Sequence, residues 1–452
     1  MMKILVTIGP VSSDPVSIQK FAKKTKLFRL NGSHGSIEWH KNVVDTIRKA
    51  CPDAFILMDI PGVKPRTNNK EEILISKGQE VIFGDYPADE TLVKIELTKP
   101  LPKNDKPPAN FSVNDGQYLF DFVSAGEGYI TGRSQSKFTL LPKKGINLPG
   151  SLYDERHQLE IYRDFIENVV DTNIDALGLS FVQTGELVNK VRKIVPHLLL
   201  ISKVENSEGL RNCVDIIQHS DSIMIDRGDL AAEIGLSELY DAVETISTNT
   251  KAHGKPLIMA TENLESMIDR EVPSKSEVMS IAHSASNGVD CIMLSEETAT
   301  AKNCQNTVNW LEQFLQKPFE LRHTSYAPLE NKKFPIIWKS LNNFRPLPVL
   351  LMTKSGYALF NFFAVRPEED LFVVTDNPKI KKISKLFSNQ ITIISTEIAN
   401  NMPIEVIWKV IEQNKKLLFA NSDQLLGIYV SKYVRTARAN SITIFDKADF
   451  NL

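Results

Sequence analysis

Eight short apolar runs constrain this chain more than any other feature. They are KILVTIG (3–9), KLFRLN (26–31), AFILMDI (54–60), DALGLSF (175–181), LLLISKVE (198–205), SDSIMIDR (220–227), KPLIMATE (255–262) and VDCIMLS (289–295). The runs are nearly continuous in apolar residues rather than alternating, which is the pattern of strands covered on both faces. Amphipathic stretches separate most of them. DPVSIQKFAKKT opens a helix with Asp14 as its cap and Pro15 at the first helical position. Further helices are predicted over 36–50, about 155–168, 184–195 and from Ser207 onward. A long helix is predicted to run to about His253, where Gly254 ends it, and two helical pieces precede the last run. Eight strand–helix units predict an α/β chain built as a (β/α)8 barrel.

The alternation breaks once. Residues 62–142 lack the helical period and hold short alternating runs such as EVIFG, NFSVNDG and GEGYITG, which predicts a small β-domain inserted after the third strand. Beyond the link APLENKKFP the pattern restarts with VLLMT, LFVVT, ITIIS, LLGIYV and SITIF, which predicts a C-terminal α/β domain. The expected organisation is a barrel over 1–61 and 143–328, a β-rich insert over 62–142 and a C-terminal domain over 335–452.

A net charge of −2 over 452 residues supplies no basic footprint for nucleic acid or a membrane surface. No apolar run approaches the ~18 residues that span a bilayer. The chain opens directly on a strand pattern, so no signal peptide is expected. Cys51, Cys213, Cys291 and Cys304 form no CxxC pair and no metal-ligand spacing, and read as reduced, mostly buried thiols. A cytoplasmic protein without nucleic-acid or membrane partners is expected.

In such barrels the chemistry sits at the C-terminal ends of the strands. The second run ends Arg29-Leu30-Asn31-Gly32-Ser33-His34 and the third reaches Asp59. The fifth ends Lys203-Val204-Glu205 and the sixth Asp226-Arg227-Gly228-Asp229. The seventh ends Thr261-Glu262 and the eighth Ser295-Glu296-Glu297-Thr298. Lys203 and Glu205 are two residues apart on a strand and so share a face. Glu205 and Asp229 suit joint binding of a hard divalent cation, with Lys203, Arg29 and Arg227 bringing positive charge to the same rim. Such a mouth suits phosphoryl transfer or enolate chemistry, both of which need developing negative charge held in place. Singly, each feature has a plain reading: Lys-x-Glu as a solvated edge, Arg-Gly-Asp as a turn, Asp59 as a cap, His34 as a surface histidine. Polar endings on six of the eight strands argue jointly for a site.

At these residues the chain resembles the pyruvate kinase family. The matching segments are TIGP (7–10), RLNGSHG (29–35), DIPGVKPRT (59–67), NDG (114–116), GINLPG (145–150), ISKVENSEG (201–209), IMIDRGDLAAEI (223–234), GKPLIMATENLESM (254–267) and DCIMLSEETA (290–299). The resemblance implies phosphoenolpyruvate and ADP as substrates and pyruvate and ATP as products. It implies Mg2+ or Mn2+ on Glu205 and Asp229, and Lys203 stabilising the transferring phosphoryl group and the enolate. Thr261 would belong to the proton relay, with Ser295 and Glu297 behind it. The amides of Gly228 and Asp229 would hold the substrate carboxylate. Arg29 and Arg66 would contact phosphoryl groups, and Pro10 and His34 would flank the nucleotide base. Asn31, Ser33 and Asp59 match the monovalent-cation ligands, with Asn31 also at the nucleotide side. The insert, carrying Asp115, would close as a lid. Lys64 stands where potassium-dependent members usually carry glutamate, which implies that K+ is not required. A homotetramer is the family's expectation.

The chain departs from the common family pattern at Asp226 (usually alanine), Glu296 (glycine), Glu262 (glutamine) and Gln183 (arginine). Each change makes the expected mouth more negative. Either the added carboxylates pair locally with Arg227, Arg270 or Lys275 and leave the site neutral, or the site has drifted toward a weaker enzyme, another metal count or another substrate. A divergent paralogue that binds phosphoenolpyruvate or nucleotide with little turnover stays open. So does a metal-dependent pyruvate-enolate lyase, against which the insert argues. In the C-terminal domain TKSG (353–356) resembles an effector-phosphate turn, and a plain strand-to-helix turn is the competing reading. SKYVRTARANSI lacks the Gly/Pro-rich loop of sugar-phosphate-regulated members.

Overall fold

The computed structural model describes residues 1–85, 92–103, 108–323, 325–326, 340–344, 346–397, 404–430 and 441–450. The link APLENKKFP and most of SKYVRTARANSI lie outside them. Eight parallel strands close into a barrel: Lys3–Thr7, Leu27–Asn31, Phe55–Ile60, Ala176–Leu179, Leu199–Val204, Ser222–Asp226, Leu257–Ala260 and Cys291–Leu294. Both faces of these strands are apolar because both are covered. Val6, Phe28, Leu30, Ile56 and Met58 pack among the surrounding helices, while Leu5, Leu27, Phe55, Leu57, Leu199, Met224 and Met293 fill the other side. This second cluster continues into the C-terminal domain through Leu359, Phe362, Phe363 and Phe387. The C-terminal domain therefore seals the end of the barrel opposite the mouth. Lys3 Nζ donates to the Lys385 carbonyl at 2.9 Å, and Ser388 N donates to Asp290 Oδ1 at 3.0 Å.

Local signals set the helix starts. Asp14 Oδ1 accepts from the amides of Val16 and Ser17 at 3.0 Å ahead of helix Pro15–Ala22. Ser274 and Glu277 form a reciprocal capping box on helix Lys275–Ser286. The long helix expected before Gly254 is two helices, Arg227–Ile234 and Leu239–Ala252. Gly235 ends the first with φ +90, a conformation that breaks helical continuity and suits glycine.

The insert forms a six-stranded sheet and a two-stranded one around Phe83, Phe111 and Phe120. The C-terminal domain is a five-stranded sheet whose last strand, Ser441–Asp446, runs antiparallel. Its TKSG segment is a turn into helix Tyr357–Val365. The Gly356 amide donates to Thr353 Oγ1 at 3.0 Å and the Tyr357 amide to Ser355 Oγ at 3.4 Å.

Register positions the mouth. Asn31 lies opposite Asp59, Thr7 opposite Arg29, and Asp226 opposite Ala260. Gly178 faces Asp59, and a Cβ there would stand 1.9 Å from Asp59 Oδ1, so this glycine makes room for the carboxylate.

Candidate active site at the barrel mouth

Lys203, at the end of the fifth barrel strand, is buried among acids. Its Nζ pairs with Glu205 Oε1 and lies 3.3 Å from Asp226 Oδ2 and 3.9 Å from Asp59 Oδ2. Burial by itself would lower the ammonium pKa. Glu205, Asp226 and Asp59 outweigh burial and Arg29, and hold it above the ordinary lysine range. Glu205 is 0% exposed, and its Oε2 accepts from the Phe181 amide at 2.7 Å. Burial raises its carboxyl pKa; Lys203 opposes this while Asp226 and Asp229 reinforce it.

Asp229 sits in the first turn of helix Arg227–Ile234. Oxygens from Glu205, Asp226 and Asp229 all lie within 4.8 Å of one another. Three converging carboxylates suit a hard divalent cation, which takes oxygen ligands. Asp226 joins a pair that the sequence put at Glu205 and Asp229 alone. Asn147, on the last lid strand, was also not anticipated; its Nδ2 donates to Asp229 Oδ1 at 3.4 Å.

Lys64 ties lid to barrel. Its Nζ donates to Asp229 Oδ1 and, at 2.6 Å, to Asp115 Oδ1 in the NDG turn of the insert. Burial opposes its charge, yet Asp229 and Asp115 hold its pKa above the ordinary range. Reciprocally, Lys64 holds Asp229 below the usual carboxylate range against burial. The Lys64 stem passes over Gly145, where a Cβ would come within 2.5 Å of Lys64 Cε. Gly145→Ala is therefore expected to push Lys64 off Asp229. About tenfold lower activity with a mainly intact barrel is the expected result, from a contact whose loss costs on the order of 1–2 kcal/mol. Unchanged kinetics in the variant would show that Lys64 reaches its partners by another path.

Thr261 sits at φ +58 and Glu262 at φ +51, in the left-handed region that β-branched residues rarely adopt. Thr261 Oγ1 lies 3.0 Å from Asp226 Oδ1 and 2.8 Å from the Ala260 carbonyl, and accepts from the Gly228 amide at 3.1 Å. Behind it, Glu297 binds two loops together. Its Oε2 accepts from the Ser295 amide at 2.6 Å and its Oε1 from the Leu264 amide at 3.1 Å. Burial pushes the Glu297 carboxyl pKa up.

Arg29 is buried and turned onto Asp59, with Nε at 2.8 Å and Nη2 at 2.7 Å from Oδ2; its Nη1 donates to Thr7 Oγ1 at 3.1 Å. Asn31 Oδ1 accepts from the Ser33 amide at 3.1 Å. Ser33, His34, Arg66 and Pro10 lie toward the exposed side. Burial lowers the His34 pKa first, with Arg66 and Arg29 adding to the effect, which places these three groups in one electrostatic neighbourhood.

A family model described as pyruvate kinase, barrel domain, matches residues 1–308. The chain belongs to the pyruvate kinase family. It is 31% identical over 386 residues to the cytosolic pyruvate kinase isozyme of Nicotiana tabacum, covering 78% of this chain and 75% of that one. It is 31% identical over 341 residues to the pyruvate kinase of Thermococcus litoralis, covering 71% and 70%. The fold matches crystal structures of pyruvate kinases from Cryptosporidium parvum (TM-score 0.78, 23% identity, 98% and 96% of the two chains) and Pyrobaculum aerophilum (TM-score 0.79, 21% identity, 98% of each).

Against the pyruvate kinase pattern, the three added carboxylates do not form the expected ion pairs among the described residues. Asp226 turns to Lys203 and Thr261 rather than to Arg227, Arg270 or Lys275. Arg227 is spent on the carbonyls of Thr261 and Glu262, Asn263 Oδ1 and Ser280 Oγ. It sits close enough to Glu262 for attraction, without a direct ion pair among the described residues. Gln183 is buried and clamps the backbone of Tyr153, donating to its carbonyl at 2.8 Å and accepting from its amide at 3.0 Å. An amide can make both bonds at once and an arginine cannot, because it has no acceptor. Glu296 is exposed.

Proposed function

We propose that the barrel mouth transfers the phosphoryl group of phosphoenolpyruvate to ADP, giving pyruvate and ATP. The observation that carries this reading is one cation, Lys203, held beside three converging carboxylates and the Thr261 hydroxyl. The bond between the enol oxygen and phosphorus breaks, an ADP oxygen takes the phosphoryl group, and the enolate carbon then gains a proton. Lys203 offsets the negative charge that develops on the phosphoryl and enolate oxygens. The amides of Gly228 and Asp229, at a helix N-terminus, receive the substrate carboxylate. The Gly228 amide exchanges its bond to Thr261 for that contact. Thr261 lies at the proton-transfer step, with Ser295 and Glu297 setting its loop. Arg29 and Arg66 serve the phosphoryl groups, and Pro10, Asn31 and His34 the nucleotide. Glu205 and Asp229, with Asp226 beside them, would hold Mg2+ or Mn2+, which would supply charge stabilisation during transfer. The lid excludes water, which matters because hydrolysis competes with transfer.

The wider reading follows the same chemistry. Relatives named as cytosolic isozymes support a cytoplasmic location. No described helix is long and apolar enough to cross a membrane. An oligomer, by family expectation a homotetramer, fits the exposed apolar side chains of Leu236, Tyr240, Val272 and Met279, on and beside two adjacent helices.

The test is pyruvate formation from phosphoenolpyruvate, ADP and Mg2+, with and without K+. Asn31, Ser33 and Asp59 match the family's monovalent-cation ligands. Asp59 is held by the Arg29 guanidinium, while the buried Lys64 ammonium pairs with Asp229 and Asp115; ADP-dependent turnover is expected to persist without K+. Turnover that vanishes when K+ is removed would sink the potassium prediction; no turnover under either condition would sink the kinase reading.

A further inference from the structure

Asp226 occupies an unusual place for an acid. It is 6% exposed, its Oδ1 accepts from Thr261 Oγ1 at 3.0 Å, and its Oδ2 lies 3.3 Å from Lys203 Nζ. Lys203 and Thr261 are the groups that the reading above assigns to an anionic substrate. The carboxylate also borders the helix N-terminus: a Cβ built on Gly228 would stand 3.9 Å from Asp226 Oδ1 and 3.8 Å from Thr261 Oγ1. Thr261 is held at φ +58, so the aim of its hydroxyl is imposed by the fold rather than freely chosen.

A side chain that holds a lysine and a hydroxyl together does to them what a bound anion does. We propose that Asp226 is an affinity-setting residue, an internal anion on Lys203 and Thr261 that weakens binding of the anionic substrate. The inference rests on the phosphoenolpyruvate reading and deepens it. Two effects act in the same direction. Asp226 neutralises part of the Lys203 charge, and it must release both partners before substrate engages them. The charge effect dominates, because one unit charge at ~7 Å in an effective dielectric of ~20 changes anion binding by at least tenfold. The hydrogen bond is the smaller term, since the Ala260 carbonyl lies 2.8 Å from the same hydroxyl and can take its place.

Asparagine separates the two, because its amide oxygen can still accept from Thr261 while the charge is gone. The experiment measures oxalate binding by calorimetry with Mg2+ present, on the full chain, for wild type, Asp226→Asn and Asp226→Ala. Oxalate carries two adjacent oxygens in the arrangement of the substrate's carboxylate and enolate. Both variants are expected to bind oxalate on the order of tenfold more tightly, with KM for phosphoenolpyruvate falling in parallel. Binding of Mn2+ alone, followed by electron paramagnetic resonance, is expected to weaken in both variants, because a carboxylate within 4.8 Å of the Glu205 and Asp229 oxygens is neutralised, so oxalate is titrated at saturating Mg2+. Two outcomes overturn the proposal: unchanged or weaker oxalate binding in both variants at saturating Mg2+, or tighter binding in the alanine variant only. Lack of ADP-dependent turnover in the wild type removes the phosphoenolpyruvate reading instead, and leaves the oxalate comparison to decide Asp226.

Discussion

Lys203→Met is expected to lower phosphoenolpyruvate- and ADP-dependent turnover by about 10³-fold, the scale seen when one preorganised charge-stabilising group is removed. The loss falls mainly on kcat, because the ammonium is matched to charge that develops during transfer. Stability moves as well. The methionine fills the space but leaves Glu205, Asp226 and Asp59 around an apolar side chain. Removing the cation from a buried cluster of this kind costs on the order of 3 kcal/mol. A lower melting temperature that partly recovers on adding Mg2+ is therefore expected, since a divalent cation can neutralise the same acids. Steady-state kinetics and thermal unfolding on one preparation read both effects. Near-normal kcat in a folded Lys203→Met protein would remove this lysine from the chemistry.

The second large effect belongs to Lys64. It reaches from the barrel side of the insert to Asp229 and to Asp115 on the lid, so it binds a metal-site acid and a lid acid at once. The Asp115 half contributes little to stability because that acid is 62% exposed and screened by water. The Asp229 half is buried, with side-chain exposures of 5% and 18%. Lys64→Met should cost about 3 kcal/mol through that half and lower turnover roughly 10²-fold through loss of lid registration. Two further readouts separate this from simple damage. Direct Mn2+ binding should tighten, because Asp229 no longer shares its charge with an ammonium. Amides of the lid strands Asn110–Val113 and Ile146–Asn147, which pair with each other, should exchange faster. Unchanged exchange together with unchanged turnover would show that the bridge does not hold the lid.

Much of this molecule was legible beforehand, and for identifiable reasons. Strands such as Leu199–Val204 and Phe55–Ile60 are buried along their whole length, so continuous apolar runs betray them. Caps at Asp14 and Ser274 are local, needing only a side chain and the amides two or three residues on. The helix break at Gly235 was missed because favourable helical residues flank it on both sides, and a single glycine reads as tolerable until its φ is known. The strand ends located the mouth, but not the partners within it. Asp226 was visible as an odd acid, and pairing with Arg227 looked natural because that cation is the next residue in the chain.

The sequence by itself determined the barrel, the β-rich insert and the polar rim, because periodicity and strand-end composition are properties of neighbouring residues. Tertiary structure alone decided which charges meet. Asp226 faces Lys203 because the fifth and sixth strands lie side by side, and faces Thr261 because the sixth and seventh do. Lys64 meets Asp229 across 165 positions of chain because the insert folds back over the mouth and Gly145 leaves it a path. Ion pairing depends on distance in space and on burial. In a closed barrel, both are set by strand order and packing rather than by spacing along the chain.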